Sequence, residues 1–242
     1  MTPAFDARGK VAFVTGAAGG VGKAVAGLFS EAGARVAGLD LKKPAIGSGS
    51  SLALAVDLAS GDDLTEPVSE CVRQFSRIDY VIHAAGAVGG GKLVDTKPED
   101  WRRLIDVNLT SAFLLARAAH AHLSETKGCL ILVSSPNGVH GGSHLSGPAY
   151  AAAKAGIINL TRYLAKEWAP DGIRVNCVVP GTIDTPMFHR LESSQQERIV
   201  GDIPLGRLCQ PDEVAQSIAF VCSSAAGYMT GATLNITGGR LL

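Results

Sequence analysis

Aromatic residues are scarce in this chain, making up only 5% of its 242 residues. The core must therefore be built from aliphatic side chains, and a hydrophobic fraction of 46% is enough for one large domain. Neither sign of charge is in excess, since the formal net charge is +0 and no basic run occurs. Without a basic stripe, a nucleic-acid partner is not expected.

Long hydrophobic runs are also absent, and cysteine shows no ordered spacing. No apolar stretch is long enough to span a bilayer, and residues 1–8 carry no apolar signal region, so no membrane association is expected. The five cysteines are scattered, and neither they nor the six histidines have the spacing of metal ligands. We therefore expect reduced thiols in a cytoplasmic protein without a metal site.

Short apolar runs instead alternate with stretches of helical period along the whole chain, without an internal repeat or a linker. The runs that favour strands are 10–15, 35–40, 52–57, 78–83, 129–135, 173–179 and 233–237. Such alternation predicts an α/β fold, a Rossmann-like doubly wound parallel sheet of about seven strands with helices on both faces. The expected organisation is a single domain, 1–242.

The first predicted strand runs directly into a glycine-rich turn and then into a helical stretch. Glycines let a backbone close onto a pyrophosphate, and the helix N-terminus offers it free N–H groups. The spacing differs from the standard Gly-x-Gly-x-x-Gly fingerprint, and an ordinary glycine-rich turn is the alternative. The predicted phosphate contacts are Gly16, Gly19, Gly20, Val21 and Gly22.

Two predicted strands end in a carboxylate that could meet adenosine. Asp40, about 20 residues past the glycines, can hydrogen-bond both ribose hydroxyls and would repel a 2′-phosphate, which favours NAD over NADP. Lys42 and Lys43 follow closely and could reach such a phosphate. Asp57 suits the adenine amino group, a turn or a helix N-cap equally well. The predicted adenosine contacts are Asp40, Leu41, Asp57 and Leu58.

Tyr150 and Lys154 stand four apart in a stretch, 150–168, that favours one helix. Residues at this spacing share a helix face, with about 5–6 Å between Cβ atoms. A cation beside the phenol would lower the tyrosine pKa from its usual value of ~10. Such a tyrosine can exchange a proton with an alcohol oxygen. A surface pair is the alternative.

Further polar residues occupy positions that suit a ligand site. Asn108 lies inside the predicted helix 98–123, where Asn is unfavourable unless it is solvated or buried at a functional kink. Ser135 ends the fifth predicted strand, either to bind a substrate oxygen beyond the sheet edge or merely to turn the chain. The loop 136–148 supplies further candidates for substrate contact: Asn137, His140, Ser143 and His144.

Two other segments complete the expected site. The small residues Ala84, Ala85 and Gly86 follow the fourth predicted strand and would let a nicotinamide ribose pass close to the backbone. The stretch 188–204 has no clean period, and long irregular segments often cover a site, so 184–205 is the predicted substrate lid. Its apolar residues are Met187, Phe188 and Leu191.

Together these residues resemble the short-chain dehydrogenase/reductase family, of the compact single-domain type, over residues 11–239. Thr15 with Gly16, Gly20 and Gly22 resembles its glycine motif. Its catalytic tetrad is matched by Asn108, Ser135, Tyr150 and Lys154. Its nicotinamide-contacting turn is matched by Pro180, Gly181, Ile183 and Thr185.

Two departures from the family pattern stand out. His83-Ala84-Ala85-Gly86 replaces the usual Asn-Asn-Ala-Gly, which removes backbone bracing at Ala84. The interval from Ser135 to Tyr150 is about two residues longer than usual, so Ser134 competes with Ser135 for the substrate role. Ser135 is preferred because Gly138 then falls at the family's usual offset.

The resemblance implies hydride transfer between a nicotinamide and a secondary alcohol or ketone. Ser135 would bind the substrate oxygen, Tyr150 would exchange its proton, and Lys154 would lower the Tyr150 pKa and bind the nicotinamide ribose. Asn108 would position a relay water, and the Asn108 and Tyr150 helices would pair in a homotetramer or homodimer. The implied substrate contacts are Ser135, Asn137, His144, Tyr150 and Met187.

Other functions compete with this interpretation. A 3-oxoacyl thioester reductase is the nearest alternative. A non-catalytic NAD-binding redox sensor would keep the glycine turn and lose the tetrad. Nucleotide-sugar epimerases carry a longer C-terminal region, and enoyl reductases usually space Tyr and Lys more widely than here.

Overall fold

Seven parallel strands form one sheet within residues 5–46, 51–186 and 188–241, which the computed structural model describes. In chain order they are β1 Val11–Thr15, β2 Arg35–Asp40, β3 Ser51–Ala55, β4 Tyr80–His83, β5 Cys129–Val133, β6 Arg174–Pro180 and β7 Thr233–Ile236. The sheet order is β3-β2-β1-β4-β5-β6-β7. The predicted doubly wound α/β fold is confirmed.

Helices cover both faces of this sheet. They are α1 Gly20–Glu31, α2 Thr65–Phe75, α3 Pro98–Ile105, α4 Ser111–Thr126, α5 Asn137–His140, α6 Pro148–Trp168, α7 Ser193–Gly201 and α8 Pro211–Cys222. Aliphatic side chains of α2, α4 and α6 form one core layer, and those of α1 and α8 form the other. None of the described helices combines the length and apolarity needed to cross a membrane.

The order in which strands are added to the sheet reverses between β1 and β4, although all the strands stay parallel. From β1 it winds outward through β2 to β3, and it then returns to place β4 on the other side of β1. Thr15 and His83 are register partners, so the two strands end level with each other. In open parallel sheets, ligands bind in the crevice beyond such a reversal point.

Two local expectations are wrong. Strand β3 ends at Ala55, so Asp57 lies beyond it. The stretch predicted to be irregular contains α7, which begins where the backbone N–H of Glu192 donates to the Gln195 side chain. The helix has no fully buried residue, so the sequence carries no strong apolar period there.

Candidate active site

The glycine turn after β1 packs tightly against Ala84 and Ala85, which follow β4. Gly16 has φ +72°, in the left-handed region, and a Cβ there would stand 2.9 Å from the Cα of Ala85. A Cβ on Gly22 would overlap the carbonyl oxygen of Gly16, whereas one on Gly19 would meet nothing within 4 Å. Helix α1 has no side-chain cap at Gly19, which leaves the N–H groups of its first turn available to an anion.

A second turn borders the same crevice from the end of β6. Pro180 is the last residue of that strand, and the backbone N–H of Gly181 donates to Ile236. A Cβ on Gly20 would stand 3.8 Å from the Cγ2 of Thr185, so the two turns face each other closely. Ile183, also partly buried, forms a bridge with Cys209 at the base of this turn.

The two carboxylates predicted to meet adenosine occupy different surroundings. Asp40 lies at the end of β2, where its carboxylate accepts the Ala18 N–H of the glycine turn at 2.9 Å. Its neighbour Leu41 is 63% exposed beside the crevice. Asp57 instead accepts the N–H of Ala59 at 2.9 Å, a local turn bond, and Leu58 is buried. The structure therefore gives Asp57 the turn geometry that was one of its alternatives.

Helix α6 places Tyr150 and Lys154 beside the C-terminal end of β5. Lys154 is buried, and its ammonium lies 5.7 Å from the Tyr150 ring centre and donates to the carbonyl of Val133 at 2.9 Å. This burial rules out a surface pair. The hydroxyl of Ser134 donates to the Lys154 carbonyl at 2.7 Å, whereas the Ser135 side chain lies close enough to the Tyr150 phenol to lower its pKa. The structure thus places Ser135, and not Ser134, beside the tyrosine hydroxyl.

The expected acidification of Tyr150 is not found in the folded chain. Burial raises the pKa of Tyr150 above its ordinary value, and the nearby Ser135 side chain opposes this effect only in part. Burial also lowers the pKa of Lys154 from 10.5 to about 8. The expectation was wrong because it counted the lysine charge and left out the desolvation of both groups.

Asn108 lies where the long helix predicted over 98–123 changes its winding. The π-helical turn Asp106–Thr110 separates α3 from α4, and Asn108 is fully buried within it. Its amide nitrogen donates to the carbonyls of Ala87 and Leu104, each at 2.9 Å. Its Oδ1 is buried and finds no donor among the described residues. An orphaned buried acceptor of this kind fits an ordered water.

Gly86 brings this amide and the lysine together. A Cβ on Gly86 would stand 2.7 Å from the Oδ1 of Asn108 and 3.3 Å from the Nζ of Lys154. Ala84 and Ala85, both partly buried, precede it at the end of β4. The space in front of Gly86 is thus shared by an acceptor and an ammonium.

The predicted substrate contacts are only partly assembled. Asn137 begins α5, and its backbone N–H donates to the Ser135 hydroxyl at 3.3 Å. A Cβ on Gly138 would stand 2.5 Å from the backbone carbon of Lys154, so α5 lies tightly on α6. His144 is exposed, and its carbonyl accepts the N–H of Gly91 at 2.8 Å. Met187 lies outside the described residues.

Sequence reasoning treated His83 only as a departure from a motif. The structure buries this side chain between Thr15 and Ser111, which it contacts at 2.7 and 2.9 Å. The available signal was a polar residue at the end of an otherwise apolar strand.

These features suit a dinucleotide. The glycine turn leaves room for a pyrophosphate against free N–H groups, and Asp40 stands beside that turn where a ribose would lie. At the other end of the crevice, Ser135, Tyr150, Lys154 and Asn108 converge beyond the ends of β4 and β5. The arrangement can hold an oxygen atom and exchange a proton with it.

Comparison with known proteins agrees with this geometry. A family model described as enoyl-(acyl carrier protein) reductase matches residues 16–240. The chain is 37% identical to the 3-oxoacyl-(acyl-carrier-protein) reductase FabG of Thermotoga maritima, covering 97% of this chain and 98% of the relative. It is 32% identical to the meso-2,3-butanediol dehydrogenase of Serratia marcescens, covering 95% and 94% of the two chains.

A solved structure shows the same fold. It is a putative 2-deoxy-d-gluconate 3-dehydrogenase from Agrobacterium tumefaciens with bound NADP. The TM-score is 0.88 at 31% identity, and the match covers 99% of each chain. The chain therefore belongs to the short-chain dehydrogenase/reductase family, as an oxidoreductase that works with a nicotinamide cofactor.

Proposed function

We propose that the enzyme transfers a hydride between the nicotinamide and the carbinol or carbonyl carbon of a secondary alcohol or ketone. The observation that carries the proposal is that the buried Lys154, the Tyr150 phenol and the Ser135 hydroxyl lie together at the C-terminal end of β5. Burying a charge is costly, and a purely structural hydrogen bond to the Val133 carbonyl would not need an ammonium, so the buried lysine favours a chemical role. The cofactor supplies the hydride chemistry when it is bound.

The proposed roles follow from what each group touches. Ser135 binds the substrate oxygen, and Tyr150 gives that oxygen its proton or removes it. Lys154 binds the hydroxyls of the nicotinamide ribose. Asn108 Oδ1 holds a water between Lys154 and the solvent, in the space in front of Gly86.

The Tyr150→Phe variant tests this proposal. The substitution removes the proton donor, and we expect turnover to fall by about 10²–10⁴-fold, while the Kd for NADH, measured by fluorescence titration, changes little. Tyr163→Phe is the matched control, because Tyr163 lies on the same helix and is 62% exposed. Turnover is followed by NADH absorbance. A Tyr150→Phe enzyme that works at nearly the wild-type rate would exclude the assignment.

We also propose that NAD is preferred over NADP. Asp40 supports this choice because its carboxylate stands beside the glycine turn, where a 2′-phosphate would meet a like charge. The NADP-bound relative and the nearby Lys42 and Lys43 argue for the opposite preference. The ratio of kcat/KM for the two cofactors decides between them. In Asp40→Asn the ratio should shift toward NADP by at least about tenfold, a change of about 1.4 kcal/mol. An unchanged ratio would refute the role of Asp40.

Reduction of a 3-oxoacyl thioester is the second candidate, because the Thermotoga relative carries that name at 37% identity. A panel containing a 3-oxoacyl thioester, a vicinal diol, a sugar and an aryl carbinol separates the candidates. An enoyl thioester belongs in the same panel, since the family model carries that name. A preference of at least about tenfold in kcat/KM for one class assigns the substrate.

Residues 184–205 are the proposed substrate lid. Asp184 accepts from His189 at 2.6 Å at one end, and the Leu205 N–H donates to Gly238 at 3.1 Å at the other. Between these anchors lies α7, which has no fully buried residue. Hydrogen exchange with and without cofactor tests the assignment, which predicts slower exchange in α7 when the cofactor is present. Equal exchange would contradict it.

The enzyme is further proposed to work as a homotetramer or homodimer. Helices α4 and α6 carry Phe113, 48% exposed, and Tyr163, 62% exposed, on the surface of the chain. Light scattering coupled to size exclusion measures the assembly, and a monomer would refute the proposal. A cytoplasmic location is proposed as well, since all five cysteines are free thiols and four of them are buried.

A further inference from the structure

His83 links two parts of the site that lie far apart in the sequence. It is the last residue of β4, buried and opposite Thr15 in the sheet register. Its Nδ1 lies 2.7 Å from the hydroxyl of Thr15, and its Nε2 lies 2.9 Å from the hydroxyl of Ser111. Both ring nitrogens are therefore occupied by side chains from different elements.

The neighbouring hydrogen bonds decide which nitrogen carries the proton. The Ser111 hydroxyl donates its single hydrogen to the Val107 carbonyl at 2.9 Å, so it can only accept from His83. Nε2 is therefore the protonated nitrogen, and Nδ1 accepts from the Thr15 hydroxyl. The Thr15 oxygen in turn accepts the Ala85 N–H at 3.2 Å. Every member of this chain of bonds is satisfied only when the ring is neutral.

The two ends of this chain of bonds reach the two halves of the crevice. Thr15 immediately precedes Gly16 of the glycine turn, and Val107 immediately precedes Asn108 within the π-helical turn. We propose that neutral His83, protonated on Nε2, is a positioning residue that fixes the π-helical turn carrying Asn108 relative to the glycine turn. The kinetic consequence depends on the proposed function, in which Asn108 serves the proton relay.

Burial and charge agree with the neutral ring. Burial, together with the nearby Lys154 ammonium, lowers the pKa of His83 from 6.5 to about 3. A second proton would place a donor against Thr15, whose hydroxyl would then lose its acceptor. The ring thus acts as a fixed bridge between the end of strand β1, at Thr15, and the start of helix α4, at Ser111.

Two substitutions separate this bridge from a side chain that only fills space. His83→Phe keeps a ring of similar shape and removes both hydrogen bonds. His83→Gln keeps one acceptor and one donor on a single amide, so it can restore the bridge. We expect kcat to fall about 10²-fold in His83→Phe, with the substrate KM within about threefold, because a misplaced relay group slows the reaction without changing substrate contacts. The kcat of His83→Gln should stay within about threefold of wild type.

Thr161→Val is the matched control. Its hydroxyl is also fully buried and bonds the Ile157 carbonyl at 2.9 Å, but it does not touch the crevice groups. It should lower the melting temperature and leave kcat unchanged.

A kcat for His83→Phe within about threefold of wild type, or a His83→Gln enzyme as slow as His83→Phe, would overturn the proposal. If His83→Phe does not fold, Ser111→Ala breaks the last link instead, with an expected loss of at least about tenfold and the same threshold for refutation.

A measurement without turnover separates this proposal from the proposed function. In ¹⁵N-histidine NMR of the wild-type enzyme, the His83 signal, assigned through its loss in His83→Gln, should show the Nε2–H tautomer and no titration between pH 5 and pH 9. Protonation on Nδ1, or a charged ring in that range, would overturn the bridge. If no alcohol or ketone is turned over, the proposed function fails, and the NMR result still decides the state of His83.

Discussion

Replacing Lys154 with Met should stabilise the fold and remove the activity. Burial lowers the pKa of Lys154 from 10.5 to about 8. Because the folded-state pKa is the lower one, the unfolded chain binds the proton more tightly, so Lys154 destabilises the fold below pH 10.5 and the penalty is complete below pH 8. A shift from 10.5 to about 8 corresponds to about 3 kcal/mol at pH 7.

Part of this gain is offset by a lost hydrogen bond. Lys154 donates to the Val133 carbonyl at 2.9 Å, and Met leaves that acceptor unpaired at a cost of about 1 kcal/mol. The net stabilisation at pH 7 is therefore about 2 kcal/mol, which raises Tm by about 4–8 °C for a chain of this size. As the pH rises to 9.5, the charge penalty falls to about 1 kcal/mol, and the two proteins should become equally stable.

Guanidinium unfolding at pH 7 and pH 9.5 measures both values at equal protein concentration. Lys166→Met on the same helix is the matched control, since Lys166 is exposed and its loss should change the unfolding free energy by less than about 0.5 kcal/mol. NADH absorbance reports turnover, which Lys154→Met should lose. A Lys154→Met protein no more stable than wild type at pH 7 would refute the reasoning that burial makes this charge costly.

Two further predictions concern stability and packing. The folded-state pKa of His83, about 3, lies below its ordinary 6.5, so its contribution to stability is complete above pH 6.5 and is lost as the pH falls toward 3. Between pH 7.5 and pH 5 the wild type should lose about 2 kcal/mol more unfolding free energy than His83→Gln; equal losses in urea titrations would contradict the buried neutral ring. Gly138→Ala should displace the backbone at Lys154, 2.5 Å from the added Cβ, and lower kcat by about tenfold or more. Gly27→Ala in α1 is its control, because the added Cβ meets nothing within 4 Å, and it should raise Tm. A fully active Gly138→Ala enzyme would contradict the prediction and show that α5 can move away from α6.

The sequence determined the architecture and the identity of the paired side chains. Strand runs, glycine turn and helical stretches are local patterns, and they predicted all seven strands of the described sheet. The helical spacing likewise determined that Tyr150 and Lys154 share one face, because four residues make about one turn. The unfavourable position of Asn108 in a helix left a solvated side chain and a buried kink as alternatives, and the structure has a π-helical turn there with Asn108 buried in it.

Only the tertiary structure decided the electrostatics and the links between distant segments. The pKa of Tyr150 depends on burial by the surrounding elements, which spacing along one helix does not contain. The hydroxyl beside it is that of Ser135 because Ser134 turns toward the backbone of α6. His83 bonds Thr15 across 68 residues and Ser111 across 28, so no local pattern could pair them. Local sequence determines periodicity, whereas desolvation and long-range contacts exist only once the strands and helices are packed.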